Sequence, residues 1–163
     1  MRVKNSLGVY QHNKGTKCLN YDDSPYILDK TRTFYLFDVI PVSAPRMTQS
    51  DRWKTNPNHV DERKRQRKSV AAYFAYKDLL KLQANLMKYE IKPVLEVLFL
   101  IPMPDSWSAK KKENMNGKPC QVKPDTDNLM KAIKDTFCVN DSFIWRETGE
   151  KRWAYKGSVI IFE

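Results

Sequence analysis

The sequence predicts an α/β (α+β) fold in which helices pack on a single mixed β-sheet. Three observations carry this. Val94-Leu-Glu-Val-Leu-Phe-Leu-Ile101 is apolar almost throughout, the pattern of a strand in the middle of a sheet, covered on both faces. From Asp61 to Tyr89, Val70, Tyr73, Phe74, Leu79 or Leu80, Leu82, Leu86 and Met87 recur at spacings near three and four, which is the period of a helix. Strand-like and helix-like segments follow one another as β, α, β, α, α, β, β, the order of one layered domain. A chain of 163 residues is long enough for one core and too short for two.

The elements follow in order. Residues 1–30 are polar and turn-rich and read as an N-terminal arm, leaving 31–163 as the folded domain. Thr33-Phe-Tyr-Leu-Phe-Asp-Val-Ile40 is rich in aromatic and β-branched residues and reads as the first strand. Pro41 and Pro45 end it, and a polar, basic loop runs to about Pro57. The long helix over 61–89 opens with Arg63-Lys-Arg-Gln-Arg-Lys68, five basic residues in six positions. After the apolar strand, Pro102 and Pro104 stop the chain. Asp105 to Met115 then reads as a short helix capped by Ser106 or Ser108. Residues 128–138 form a further helix with Leu129, Ile133 and Phe137 on one stripe. The end reads as a hairpin, Phe143 to Glu147 pairing with Ala154 to Phe162 around Thr148-Gly149 or Lys156-Gly157.

Composition narrows the function. Twenty-nine Lys and Arg against 19 Asp and Glu give a net charge of +10, an excess that favours polyanionic partners. No apolar run approaches the roughly 20 residues that span a bilayer, and no signal-peptide pattern is present, so the expectation is a cytoplasmic protein with no membrane partner. Cys18, Cys120 and Cys138 are too few and too scattered for a disulfide framework or zinc site and read as reduced thiols, Cys138 in the core. His12 and His59 read as surface residues. There is no Gly-rich phosphate loop, and no small-molecule cofactor is expected.

The residues with chemistry to offer lie in Lys123-Pro-Asp-Thr-Asp-Asn-Leu129. Asp125 and Asp127 sit where the chain turns into a helix; Lys131, four residues beyond Asp127, shares its helix face. Asp141 follows the helix, in the turn before the next strand. Each acid alone also suits a helix cap or a surface ion pair. Together, on a basic chain, carboxylates repel phosphate unless they hold a cation. Magnesium takes a few carboxylate oxygens and keeps several waters, and it can drive phosphodiester cleavage. A lysine nearby would offset charge that develops on the phosphate.

These residues resemble the RusA-type endodeoxyribonucleases, the Holliday junction resolvases of bacteria and prophages. The resemblance runs from about Phe34 to Ile161. It is most specific over Lys123-Pro-Asp-Thr-Asp-Asn-Leu-Met-Lys-Ala-Ile-Lys-Asp135, with Asn140-Asp141 matching an acidic turn, and with flanking matches at Pro41-Val-Ser-Ala-Pro-Arg46, Ala75-Tyr-Lys77 and Pro102-Met-Pro-Asp-Ser-Trp-Ser108. It implies a mixed α/β homodimer that nicks four-way DNA junctions in pairs with Mg2+, Mn2+ being a possible substitute. It implies that Asp125, Asp127 and Asp141 are metal-binding acids and that Lys131 supports catalysis. Some members carry two acids where this chain has Asn140-Asp141, and relatives often have a histidine at the position of Cys120. Phosphate contacts are expected from Arg46, Arg52, Lys54, Arg63, Lys64, Arg65, Arg67, Lys68, Lys110, Lys111 and Lys112, and Trp53 and Trp107 could stack on unpaired bases or pack within the fold. Two other readings remain open: a non-catalytic branched-DNA-binding protein, and a nuclease preferring flaps or forks.

Overall fold

Among the described residues four strands form one mixed sheet in the order β1-β4-β2-β3, with three α-helices. The structure, a computed structural model, describes residues 33–163; the expected arm over 1–30, with His12 and Cys18, lies outside the described residues. β1 (Phe34–Phe37), α1 (Lys68–Met87), β2 (Val94–Pro102), α2 (Ala109–Met115), α3 (Thr126–Phe137), β3 (Arg146–Ala154) and β4 (Ser158–Phe162) follow one another in the predicted order.

β2 is central. It pairs antiparallel with β4 and parallel with β3, in register from Val94 opposite Arg146 to Pro102 opposite Ala154. Its alternating side chains serve two clusters. Leu95, Val97, Phe99 and Ile101 join Phe37, Val159 and Ile161 under the buried faces of α1 and α3. Leu98 and Leu100 join Phe34, Leu36, Ala154 and Ile160 on the other face. Both sets are almost inaccessible, as the apolar run predicts, and each such side chain contributes about 1.5–3 kcal/mol. Tyr35, Phe37, Tyr89 and Phe137 stack edge-on and tilted where β1 meets the ends of α1 and α3.

The C-terminal hairpin does not form. β3 and β4 lie on opposite sides of β2, and the link between them crosses the end of β2 at Pro102. A Cβ on Gly157 would stand 3.0 Å from Ile40 Cγ1, 3.1 Å from Ile40 Cα and 3.2 Å from Pro102 Cδ, so glycine lets the link pass close to that strand end. Gly149 is not a turn residue either; it lies within β3 opposite Val97. The polar sequence of β3 suits the edge it occupies, and Gly117 to Cys120 runs along its outer side, with Gly117 N–H to Trp153 O at 2.9 Å and Cys120 N–H to Lys151 O at 3.0 Å.

The basic run also differs from expectation. α1 begins at Lys68, so Arg63 to Arg67 form a short 3-10 turn and a loop before it. Arg67 is the N-cap residue, yet its side chain goes elsewhere. Nε and Nη2 donate to the two carboxylate oxygens of Asp51 at 2.9 and 2.6 Å, and Nη2 also donates to Arg46 O at 2.8 Å. Asp51 further accepts from Thr48 N–H and Oγ1, both at 2.7 Å. Cys138 is half-buried at the end of α3, not in the core; burial first, then Asp141, pushes its thiol up.

Candidate active site

The acids of the Asp-x-Asp pair stand at the N-terminus of α3, and three contacts fix that end of the helix. Lys151, on β3, donates from Nζ to Val122 O at 2.8 Å and to Pro124 O at 2.7 Å. It therefore grips the carbonyls on either side of Lys123, whose bond to Pro124 is cis. Ala44 N–H donates to Asn128 O at 3.0 Å, tying the loop after β1 to the first turn of α3. Gly149 gives the helix its seat: a Cβ there would stand 2.8 Å from Thr126 Cγ2 and 2.9 Å from Met130 Cγ.

Asp125 is the N-cap residue by its extended backbone, but its side chain makes no capping bond. Asp127 lies in the first turn. Both are exposed, and neither carboxylate has a hydrogen-bond or ion-pair partner among the described residues. The capping explanation for Asp125 therefore fails, and so does an Asp127–Lys131 ion pair. Lys131 Nζ turns the other way, to Asp135 Oδ1 at 3.2 Å. Asp135 Oδ2 accepts from Tyr73 Oη at 2.9 Å. Burial and that hydrogen bond push the Tyr73 hydroxyl well above its usual range, so it remains a donor. Lys77 faces the same group; burial lowers its pKa, with Asp135 opposing.

Asp141 is not brought to this pair. It opens a 3-10 turn beyond the C-terminus of α3, and a helix of 12 residues is about 18 Å long. Among the described residues, no group of three or more His, Cys, Asp or Glu side chains could hold a metal ion. The donor set that does fit magnesium is the pair itself: two hard, unpartnered carboxylates, since this ion commonly uses one or two protein carboxylates together with substrate phosphates and water.

The predicted phosphate contacts divide by what they already hold. Arg67 is bound to Asp51, and Arg65 donates to His59 O at 2.6 Å and pairs with Glu62 at 3.2 Å; both serve the loop. Lys111 lies over the Trp107 ring at 4.2 Å, and Lys112 stands 3.9 Å from Asp105. Arg46, Arg52, Lys64, Lys68 and Lys110 are exposed, Lys54 is half-buried, and Arg63 is exposed with only a loose 3.6 Å approach to Asp61. Trp107 packs on Trp153 with ring centroids 5.0 Å apart, which makes it a packing residue. Trp53 is 85% exposed. Residues 41–52 link the two regions: Ala44 is bonded to the start of α3, and Arg46 and Asp51 are bonded to Arg67 at the start of α1.

Lys151, Asp135 and Asp51 have no role in the sequence reading. Lys151 sits in a polar stretch that gives no sign of its partners. Asp51, the acid inside a basic loop, is the signal that points to a built turn.

The family model of the endodeoxyribonuclease RusA matches residues 41–162. No curated protein and no solved structure matches the chain.

Proposed function

The chain belongs to the RusA endodeoxyribonuclease family, and from that membership we propose that it resolves four-way (Holliday) junctions by paired, metal-dependent phosphodiester hydrolysis. The observation that carries the reading is the pair Asp125 and Asp127. In a protein of net charge +10, two exposed carboxylates without partners among the described residues stand at a helix start that other residues hold in place.

Asp125 and Asp127 would hold Mg2+, with Mn2+ as a substitute. The ion would supply a Lewis acid at the scissile phosphate. The chain's own residues do the rest. Arg46, Arg52, Lys54, Arg63, Lys64 and Lys110 draw the DNA backbone across the exposed surface by charge rather than by base identity. Lys131, four residues beyond Asp127 with its ammonium now turned to Asp135, would offset the negative charge that grows on the phosphate during cleavage. Lys151 and the Gly149 seat keep the carboxylates in position. A homodimer with a two-fold axis would present two such sites to a junction of near two-fold symmetry, so that nicks come in pairs. The setting we infer is the cytoplasm of a bacterium, with the gene chromosomal or phage-borne; no helix among the described residues is long and apolar enough to cross a membrane.

The distance of Asp141 from the pair favours a second reading, a chain that binds branched DNA without cutting it. One comparison separates the two. The protein and Asp127→Asn are incubated with a synthetic four-way junction, with Mg2+ and with EDTA. Paired nicks that require both the metal and Asp127 support the resolvase. Binding without nicks under every condition supports the second reading, and absence of binding refutes both. Flap and fork substrates in the same assay show which branched DNA is preferred.

A further inference from the structure

α1 carries two apolar faces, and the fold uses only one. Val70, Tyr73, Tyr76, Leu80 and Ala84 are buried against the sheet and α3. On the far side Ala72, Ala75, Leu79, Leu82 and Leu86 recur at spacings of three, four, three and four. Ala72 and Ala75 are exposed, and Leu79, Leu82 and Leu86 are 48%, 56% and 49% exposed. A solvated helix face would carry charge there. This alternation is the seam of a helix that packs against another helix.

We propose that the stripe is the dimer interface, and that its occupant is α1 of a second copy, antiparallel and centred on Leu79. The inference rests on the resolvase reading for its two-fold symmetry, but the surface is assigned by three observations of its own. First, size is complementary. The stripe is small at one end and large at the other, so antiparallel pairing sets Ala72 and Ala75 of one copy against Leu86 and Leu82 of the other. Parallel pairing would instead leave a gap between facing alanines. Second, the stripe itself is uncharged. Two copies of a +10 chain repel unless they meet on a neutral surface, and no charged residue lies on the stripe between Ala72 and Leu86. Beside it, Asp78 has Lys81 three residues on. Lys68 opens α1 while Lys88, Glu90 and Lys92 follow its end, and an antiparallel pair sets the positive-dipole end of one helix against the negative-dipole end of its partner. Third, such an interface is isologous and closes at two copies. DNA is a poor occupant for the same stripe, which offers no group to a phosphate.

The test uses the full chain. Sedimentation velocity on the wild type should give twice the 19.2 kDa of one chain. Leu79→Glu/Leu82→Glu should give the single-chain mass, with an unchanged far-ultraviolet dichroism spectrum. Because a core change could also dissociate a dimer, Leu79→Cys provides the positional check. Oxidation should cross-link it into a covalent dimer, whereas Val139→Cys, at a fully exposed position away from the stripe, and the wild type with its native cysteines should not cross-link. A wild type that stays monomeric at every concentration, a double variant that stays dimeric, or a dimeric Leu79→Cys protein that fails to cross-link each overturns the proposal. Junction assays on the same samples separate the two readings. A monomeric wild type that nicks junctions removes this interface and keeps the resolvase. A stripe-dependent dimer that neither binds nor nicks junctions does the reverse.

Discussion

Replacing Gly149 by alanine should disturb the start of α3 while leaving the basic surface intact. The added Cβ would lie 2.8 Å from Thr126 Cγ2, 2.9 Å from Met130 Cγ and 3.0 Å from Met130 Sδ, where ordinary contact begins at 3.4 Å. The helix must therefore lift, or Met130 must move, by a few tenths of an ångström. Met130 is flexible but buried; Thr126 is β-branched and has little rotamer freedom in a helix. Overpacking of this kind costs about 1–3 kcal/mol, and the stiffer unfolded chain returns about 0.4–1 kcal/mol. A net loss near 1–2 kcal/mol lowers Tm by about 2–8 °C in a chain of this size. Misplacement of a catalytic group by about 1 Å can cost about a hundredfold, so a shift of 0.3–0.5 Å scales to a fourfold to tenfold slower single-turnover cleavage, as an order-of-magnitude figure. Calorimetry, cleavage of a four-way junction in Mg2+ and junction affinity in Ca2+ measure the three effects, and affinity should stay within about twofold. Thr126→Ser in the Gly149→Ala background removes the shortest clash and should recover part of both losses, a coupling that a double-mutant cycle reads directly. A Gly149→Ala protein with wild-type Tm and wild-type cleavage would show that α3 does not take its position from this seat.

Lys151→Met removes both hydrogen bonds to the Val122 and Pro124 carbonyls and should slow cleavage by about tenfold or more while junction affinity stays within about twofold; an equal loss in binding would place Lys151 on the DNA instead. Lys131→Ala should lower kcat by about 10²–10³-fold at unchanged affinity, and a loss confined to KM would remove it from the reaction. Asp51 is held below the usual carboxylate range, by Arg67 first and then by Thr48. Its charged form therefore stabilises the fold above the ordinary Asp pKa, and that contribution fades as pH falls toward the lowered value; the gap in Tm between wild type and Asp51→Asn should be widest near pH 6 and shrink below about pH 4. Arg63→Ala and Lys64→Ala should each make the slope of log K against log salt shallower by about 0.9 for every phosphate that the side chain neutralises, whereas Arg67→Ala should lower Tm.

Much of the fold was legible because its strongest signals are local. The apolar run of β2 announces a central strand through its own composition. The stripe of Leu129, Ile133 and Phe137 gives α3 to within two residues at each end. The hairpin misled because glycine has two uses that look alike in sequence. Gly149 and Gly157 both stand in polar surroundings, as turn glycines do, yet each is there because a neighbouring chain comes too close for a Cβ. The basic run shows the same limit. Arg63 and Arg67 are equivalent by composition, and only the fold reveals that one faces solvent while the other is tied to Asp51. Of the candidate site, the Asp125 and Asp127 pair and their position at a helix start were legible, being set by adjacent residues. Lys151 was not, since its partners lie 27 and 29 residues away.

Topology explains why Asp141 parts from the other two acids. β2 and β3 run parallel, so the chain between them must travel back along the sheet before β3 can begin. α3 makes that return. Its N-terminus rests beside Gly149 and Lys151, at the middle of β3, and its C-terminus leads through Asp141 to Arg146 at the amino end. Ligand sites in sheets with parallel strands gather at carboxyl ends, where helix N-termini point. Asp125 and Asp127 stand at such a helix start, beside the middle of β3. A residue that follows α3 by only four positions lies at the other end for the same reason that the strands are parallel. Bringing Asp141 to the pair within one chain would require α3 to unwind or β3 to leave β2. The Asp125 and Asp127 pair, with its Lys151 brace, is therefore the part of the candidate site that a single chain assembles.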